Sequence, residues 1–325
     1  MEHRTAGIPG LVVALTSFVI ALPAHPQPYP AKSVRLIVPY APGGIVDYAG
    51  RLIGQRLSDA LAQNFVIDNR PGAGGIIGTE TASKASGDGY TLLIMDPAIV
   101  INPSLLAKVP YDINKDLIPV TILSSSPLVL AVNAKLAANS VQELVNLAKS
   151  QPGKLSFASA GIGTTPHMAG EMFKARIQQN IVHVPYKGSG PAMTDLVAGQ
   201  VQMTFSSITA ALPFIKDGRL RGLATTGEKR AAALSTLPTI AESGFPGFDV
   251  DLWLAIFVPA NTPEEVVAKL NSELKKALQH PDVRGGLEKV GAEPIGNTPQ
   301  QAALYVRNEY RKWADVIRNA HIKVD

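Results

Sequence analysis

VPYAPGGIVDYAGRLIGQRL, Val38 to Leu57, decides the fold. The apolar run Val34-Arg35-Leu36-Ile37-Val38 stops at Pro39, turns through Pro42-Gly43-Gly44 and enters an amphipathic pattern that lasts to about Leu61. A buried strand feeding a helix through a glycine turn is the repeating unit of α/β folds. The turn offers no serine, cysteine or lysine that could react. What it offers is backbone. A helix start leaves its first N–H groups unpaired and carries about half a positive charge. Glycine there lets a ligand approach without a Cβ in the way.

The same construction recurs at Ala160–His167 and Tyr186–Ala192, where Pro166 and Pro191 read as first helical residues. Helix starts that converge make an anion site without arginine. Outward from these turns, strand-like runs alternate with helical patterns, which predicts α/β layers with mostly parallel strands. Ser140 as N-cap with Glu143 three residues on marks a helix over Val141–Ser150. Further helices are expected near Pro263–Gln279 and Pro299–Asn319. A long extended stretch from Ile118 to Val132 reads as broken at Ser124-Ser125-Ser126-Pro127, with a second α/β set beginning after it. Crossings near Ser124–Pro127 and Gly247–Asp251 then divide the chain into two lobes with a cleft between them.

The start of the chain differs from the rest. Arg4, the apolar run Leu11–Leu22 and then Pro23-Ala24 have the anatomy of a secretory signal over residues 1–24. The apolar centre is too short to span a bilayer, which takes roughly 20 residues. Cysteine is absent, so disulfides, thiol chemistry and a cysteine-borne lipid anchor are excluded. An exported, unanchored protein is expected in the periplasm. The net charge of +4 comes with no Lys/Arg block or aromatic-basic stripe, which argues against nucleic acid and suits a small anion.

Enzyme and cofactor signals are weak. Gly72-Ala73-Gly74-Gly75-Ile76-Ile77-Gly78 follows a strand but has Ile77 where the dinucleotide fingerprint needs glycine, and reads as a tight turn. No nucleophile elbow, phosphate-binding loop or zinc motif occurs. His167 and Glu171, four apart on a predicted helix, read as a helix-start residue and a simple contact, not a metal pair. His183 reads as a strand residue on the polar face of its sheet. The expectation is no metal, no cofactor and no catalysis.

At these loops the chain resembles the solute receptors of tripartite tricarboxylate transporters, the Bug (TctC-like) family. The likeness rests on Val38–Gly44, Asp68–Gly75, Gly161–His167, Val184–Gly188 and Leu237–Phe245, in that order. It implies a two-lobed type II periplasmic-binding-protein fold with two crossover strands. Lobe one would be 30–126 plus 248–325, and lobe two 127–247. It also implies a receptor, not an enzyme, that hands a carboxylate-containing solute to membrane permease subunits. By position, the carboxylate would sit between Ala41, Gly43 and Gly44 on one lobe and Gly163 and Thr164 on the other. The candidate ligand-binding set also takes in Tyr40, Asp47, Asp96, Gly161, Tyr186, Lys187 and Ser206.

Two departures from the family pattern stand out. Val46 replaces a common hydroxyl residue, and Asp96 stands where small neutral residues are usual. Asp96 either caps the turn at Pro97 or faces the ligand, where it would disfavour a second carboxylate. A monomer is expected. The competing readings are a periplasmic sensor for a membrane kinase and an exported α/β enzyme.

Overall fold

A computed structural model describes residues 29–319, together with residues 2, 3 and 322. The segment read as an export signal, residues 1–24, lies outside them but for Glu2 and His3. The chain opens with β1 (Val34–Val38), α1 (Ile45–Leu61), β2 (Phe65–Asn69), α2 (Ile76–Ser83), β3 (Thr91–Met95) and α3 (Ala98–Leu105). Next come β4 (Leu117–Asn133), α4 (Val141–Ser150), β5 (Ser156–Ser159), α5 (Thr165–Ile177) and β6 (Val182–Pro185). They are followed by α6 (Ser189–Ala198), β7 (Met203–Ser207), α7 (Ile208–Lys216) and β8 (Leu220–Thr225). The last elements are β9 (Asp251–Pro259), α8 (Glu264–Gln279), α9 (Pro281–Lys289), β10 (Glu293–Pro294) and α10 (Pro299–Asn319).

The strands order as β2-β1-β3-β9-β4-β7-β5-β6, with β10 and β8 also paired to β4. Strand β4 belongs to both lobes. Its first half lies between β9 and β10, and its second half, from Leu128, between β7 and β8. The Ser124–Pro127 stretch is therefore not a break. Ser124, Ser125 and Ser126 pair with Leu254, Trp253 and Leu252, and Pro127 sits opposite Asp251 where the partner changes. A proline costs a ladder no donor at the point where one pairing ends and the next begins. Thr226, fully buried, ties the two crossings together: its backbone and hydroxyl bond to both Leu128 and Val250.

Parallel ladders join β1 to β2 and β3, and β5 to β6 and β7, but every ladder of β4 and β9 is antiparallel. The expectation of a mostly parallel sheet is corrected accordingly. Strands buried on both faces show the same continuous apolar run in either direction, so direction is invisible locally.

Helix α1 shows how tightly the layers meet. Its buried face includes Ile45, Ala49, Ile53 and Leu57, at a spacing of four, with Gly50 and Gly54 beside them. A Cβ on Gly50 would lie 3.1 Å from Val38, and one on Gly54 3.0 Å from Ile67. The two glycines let the helix settle directly onto β1 and β2, and this seats the start of α1 at the carboxyl end of the sheet.

Candidate functional site

The loop after β1 is held by a side-chain network. Asn69 Nδ2 donates to the Tyr40 carbonyl at 3.0 Å and to Asp47 Oδ1 at 3.0 Å. Arg51 adds a bond to the same carboxylate at 2.9 Å, and Gly43 N–H points at its other oxygen at 3.5 Å. Burial pushes the Asp47 carboxyl up, but the bonds from Arg51 and Asn69 outweigh it and hold the group below the usual carboxylate range. Asp47 is thus committed to shaping the loop.

Helix α1 itself has no side-chain cap. No described group accepts the N–H of Gly44, Ile45, Val46 or Asp47. Helix α6 likewise opens at Gly188 without a side-chain cap. Helix α5 is different, because Thr164 Oγ1 accepts from His167 N and donates to the Gly161 carbonyl at 2.7 Å. The Gly163 N–H is spent on His167 Nδ1 at 3.2 Å.

The lobes meet largely along bare backbone, with the Asn102 side chain set against Gly163. Ala41 N–H donates to the Lys187 carbonyl at 3.1 Å. A Cβ on Gly43 would lie 3.4 Å from Gly190, one on Gly44 3.3 Å from Ser189 Oγ, and one on Gly74 1.9 Å from the Ile162 carbonyl oxygen. Glycines on both edges let the cleft shut almost completely. It leaves a cavity of about 20 Å³, room for roughly one water. Lobe one lines it with Tyr40, Gly44–Asp47, Asp96 and Leu252, and lobe two with Ala160, Pro166 and Ser189. No lysine, arginine or histidine lines it among the described residues.

Asp96 is 3% exposed. Its Oδ1 accepts from Tyr40 Oη at 2.9 Å and from Ala98 N at 3.0 Å. It therefore caps the turn into α3 and lines the cavity as well. Burial drives its carboxyl up to about 6, against the lowering effect of those two bonds. Burial and the Asp96 charge push the Tyr40 phenol well above its ordinary value, so its proton stays on to donate.

Of the residues expected at the site, Tyr40, Gly44, Asp47 and Asp96 line the cavity. Ala41, Gly43, Gly161, Gly163, Thr164 and Lys187 lie outside its lining, engaged in loop geometry or in the seam. Tyr186 turns to Asp195 at 2.6 Å, and Ser206 is buried in β7 opposite Val129. Six further lining residues, Ile45, Val46, Ala160, Pro166, Ser189 and Leu252, were outside the expected set. All but Leu252 lie in the three turns read from the sequence, and Leu252 looks like any other strand residue. Pro166 is the second residue of α5 and Pro191 the third of α6, so neither is the first.

A larger hollow, about 790 Å³, lies behind the hinge between Ser125–Pro127, Gly227–Ala232 and the α9–β10 turn. Five carboxylates line it against three cations. Burial and Asp249 push Asp251 up in it. The cleft cavity differs from it in being lined by the bare starts of α1 and α6.

Beneath the second-lobe loop, His167 and His183 stack at 4.2 Å, and His183 Nε2 meets Ser159 Oγ at 2.6 Å. Burial, with His183 and Lys174 nearby, takes the His167 imidazole down to about 3; burial and Lys174 take His183 down to about 4. Unfolded histidines take up protons near pH 6.5, which the folded rings refuse until about pH 4 and below. This contribution is full above pH 6.5 and drains as pH falls, by up to about 1.4 kcal/mol per pH unit for each ring. Urea midpoints followed from pH 7 to 4.5 should fall less steeply in His183→Phe than in the parent. Parallel curves would show that His183 takes up its proton as readily folded as unfolded.

Residues 49–322 match the tripartite tricarboxylate transporter family receptor. Protein BugT of Bordetella pertussis is 36% identical over 99% of this chain and 98% of its own length. Among solved structures, the R. palustris protein Rpa4515 with adipate is 37% identical with a TM-score of 0.88, covering 91% of this chain and 99% of that one. MatC from Rhodopseudomonas palustris with bound malate is 32% identical with a TM-score of 0.84, covering 89% of this chain and 100% of that one. With a match over most of its length and the two-lobed fold of these receptors, the chain belongs to the tripartite tricarboxylate transporter receptor family.

Proposed function

We propose that the protein is a periplasmic receptor, without catalytic activity, for a small carboxylate-containing molecule. It acts as a monomer, is exported by residues 1–24 and delivers its solute to the membrane subunits of a tripartite tricarboxylate-type permease. One observation carries the reading: two uncapped helix starts, α1 from one lobe and α6 from the other, meet at a cavity with no cation in its lining. Unpaired N–H groups at helix ends bind a carboxylate reversibly and leave it chemically unchanged. The adipate and malate held by the two related R. palustris proteins fit that chemistry.

The lobes, 30–126 with 248–325 and 127–247, would part about β4 and the Thr226 tie to admit the solute. Contacts from both lobes then favour the shut state. A thermal-shift and calorimetry screen of mono- and dicarboxylates, adipate and malate included, should find a binder that raises the melting temperature, since it binds only the folded chain. Small-angle scattering should show a more compact particle in its presence. No binder across the set would overturn the proposal.

A further inference from the structure

On the receptor reading just proposed, the cavity lining divides by chemistry. Gly44, Ile45 and Val46 at the start of α1, with Ser189 at the start of α6, bring backbone N–H donors. Tyr40 and Asp96 bring acceptors, because the Tyr40 proton is already committed to Asp96 Oδ1. No other described residue donates to Asp96 Oδ2. Among the described residues no cation offsets the carboxylate. The titratable groups around it are Tyr40 at the end of β1, Tyr111 in the segment before β4, and Asp47 on α1, and Arg51 is spent on Asp47.

We propose that Asp96 sets the class of ligand: an acid with one carboxylate held by the α1 and α6 starts and a hydrogen-bond donor, such as a hydroxyl, ammonium or amide, bonded to Asp96. A second carboxylate in that place is admitted only when a proton is taken up with it. Two like charges a few ångström apart in a largely dry cavity disfavour each other strongly, and one must be neutralised before both can stay. Capping α3 does not by itself call for this charge, since a neutral asparagine accepts the same two bonds. The charge also weakens the fold. With its folded value raised to about 6, Asp96 holds its proton more tightly folded than unfolded, so ionisation above that pH costs stability. A buried carboxylate kept at such a cost, inside a cavity, is the kind of group that binding sites retain.

The test is calorimetry on matched sets of equal chain length at pH 7. One set is succinate, 4-hydroxybutyrate, 4-aminobutyrate and butyrate, with the three- and five-carbon counterparts beside it. The best donor-bearing acid should exceed its dicarboxylate about tenfold, because admitting the second carboxylate means first protonating a group that titrates near 6. In Asp96→Asn the gap should close to about twofold. Parent protein titrated in two buffers of different ionisation heat should take up close to one proton per dicarboxylate bound, and none with the donor-bearing acid. That arm needs no variant, so it decides even if Asp96→Asn folds poorly. A dicarboxylate that matches the donor-bearing acid, with the same ranking in Asp96→Asn and no proton uptake, overturns the role of Asp96 and leaves the receptor reading standing. Silence from every acid sinks the receptor reading, and this one with it.

Discussion

Gly44→Val should reduce carboxylate affinity by at least about a hundredfold while the protein still folds. Gly44 has φ −96° and ψ 173°, extended backbone that a β-branched residue adopts without strain. The obstacle lies across the cleft. A Cβ there would already lie 3.3 Å from Ser189 Oγ, and the two further methyl groups must enter a cavity of about 20 Å³. They would prop the lobes apart and cover the N–H groups of α1, losing both halves of the grip. A hundredfold loss corresponds to about 2.7 kcal/mol, within the range that overpacking a tight site costs. Thr164→Ala makes the informative contrast. Its hydroxyl serves Gly161 and His167, so its loss should fall on stability, by about 1 kcal/mol, with little change in affinity. Calorimetry that finds normal binding by Gly44→Val removes the loop after β1 from the site.

The largest stability effect is expected far from the cleft, at Glu309 on α10. Its Oε2 accepts from the indole N–H of Trp253 at 2.9 Å and of Trp313 at 3.2 Å, and both rings are fully buried. Glu309→Ala would strand two buried donors, each costing about 1–3 kcal/mol, and open a void beside them. We expect a loss of about 3–5 kcal/mol, read as a lower urea midpoint with an unchanged slope. Glu309→Gln keeps an acceptor oxygen and should lose less than half as much. Equal midpoints for Glu309→Ala and the parent would mean that water serves both indoles.

Much of this architecture could be read locally. Helix α4 runs from Val141 to Ser150 as its capping pattern predicts, with Ser140 Oγ accepting from Glu143 N at 3.1 Å. The turn at Gly72–Gly78 is a packing device: a Cβ on Gly75 would lie 2.6 Å from Met95, and one on Gly78 2.6 Å from Pro39. Glycine turns before helix starts also pointed to the cleft. What local pattern could not show was which donors remain free. Gly163 and Gly44 look alike in sequence, yet His167, four residues on, absorbs one N–H, and no described group accepts the other. The change of partners along β4 was hidden for a related reason. It depends on β9, more than a hundred residues away, and three serines and a proline resemble a turn until that strand lies beside them.

The glycine edges of the cleft also bear on how such a receptor can be tuned. Where the lobes meet at Gly43, Gly74 and Gly190, the closeness of the shut form is set by backbone and not by side-chain fit. Apparent affinity is the intrinsic value scaled by the fraction of molecules competent to bind. Bulk added at these edges, at positions that need not touch the solute, would change that fraction, so capture could be adjusted without altering a single solute contact.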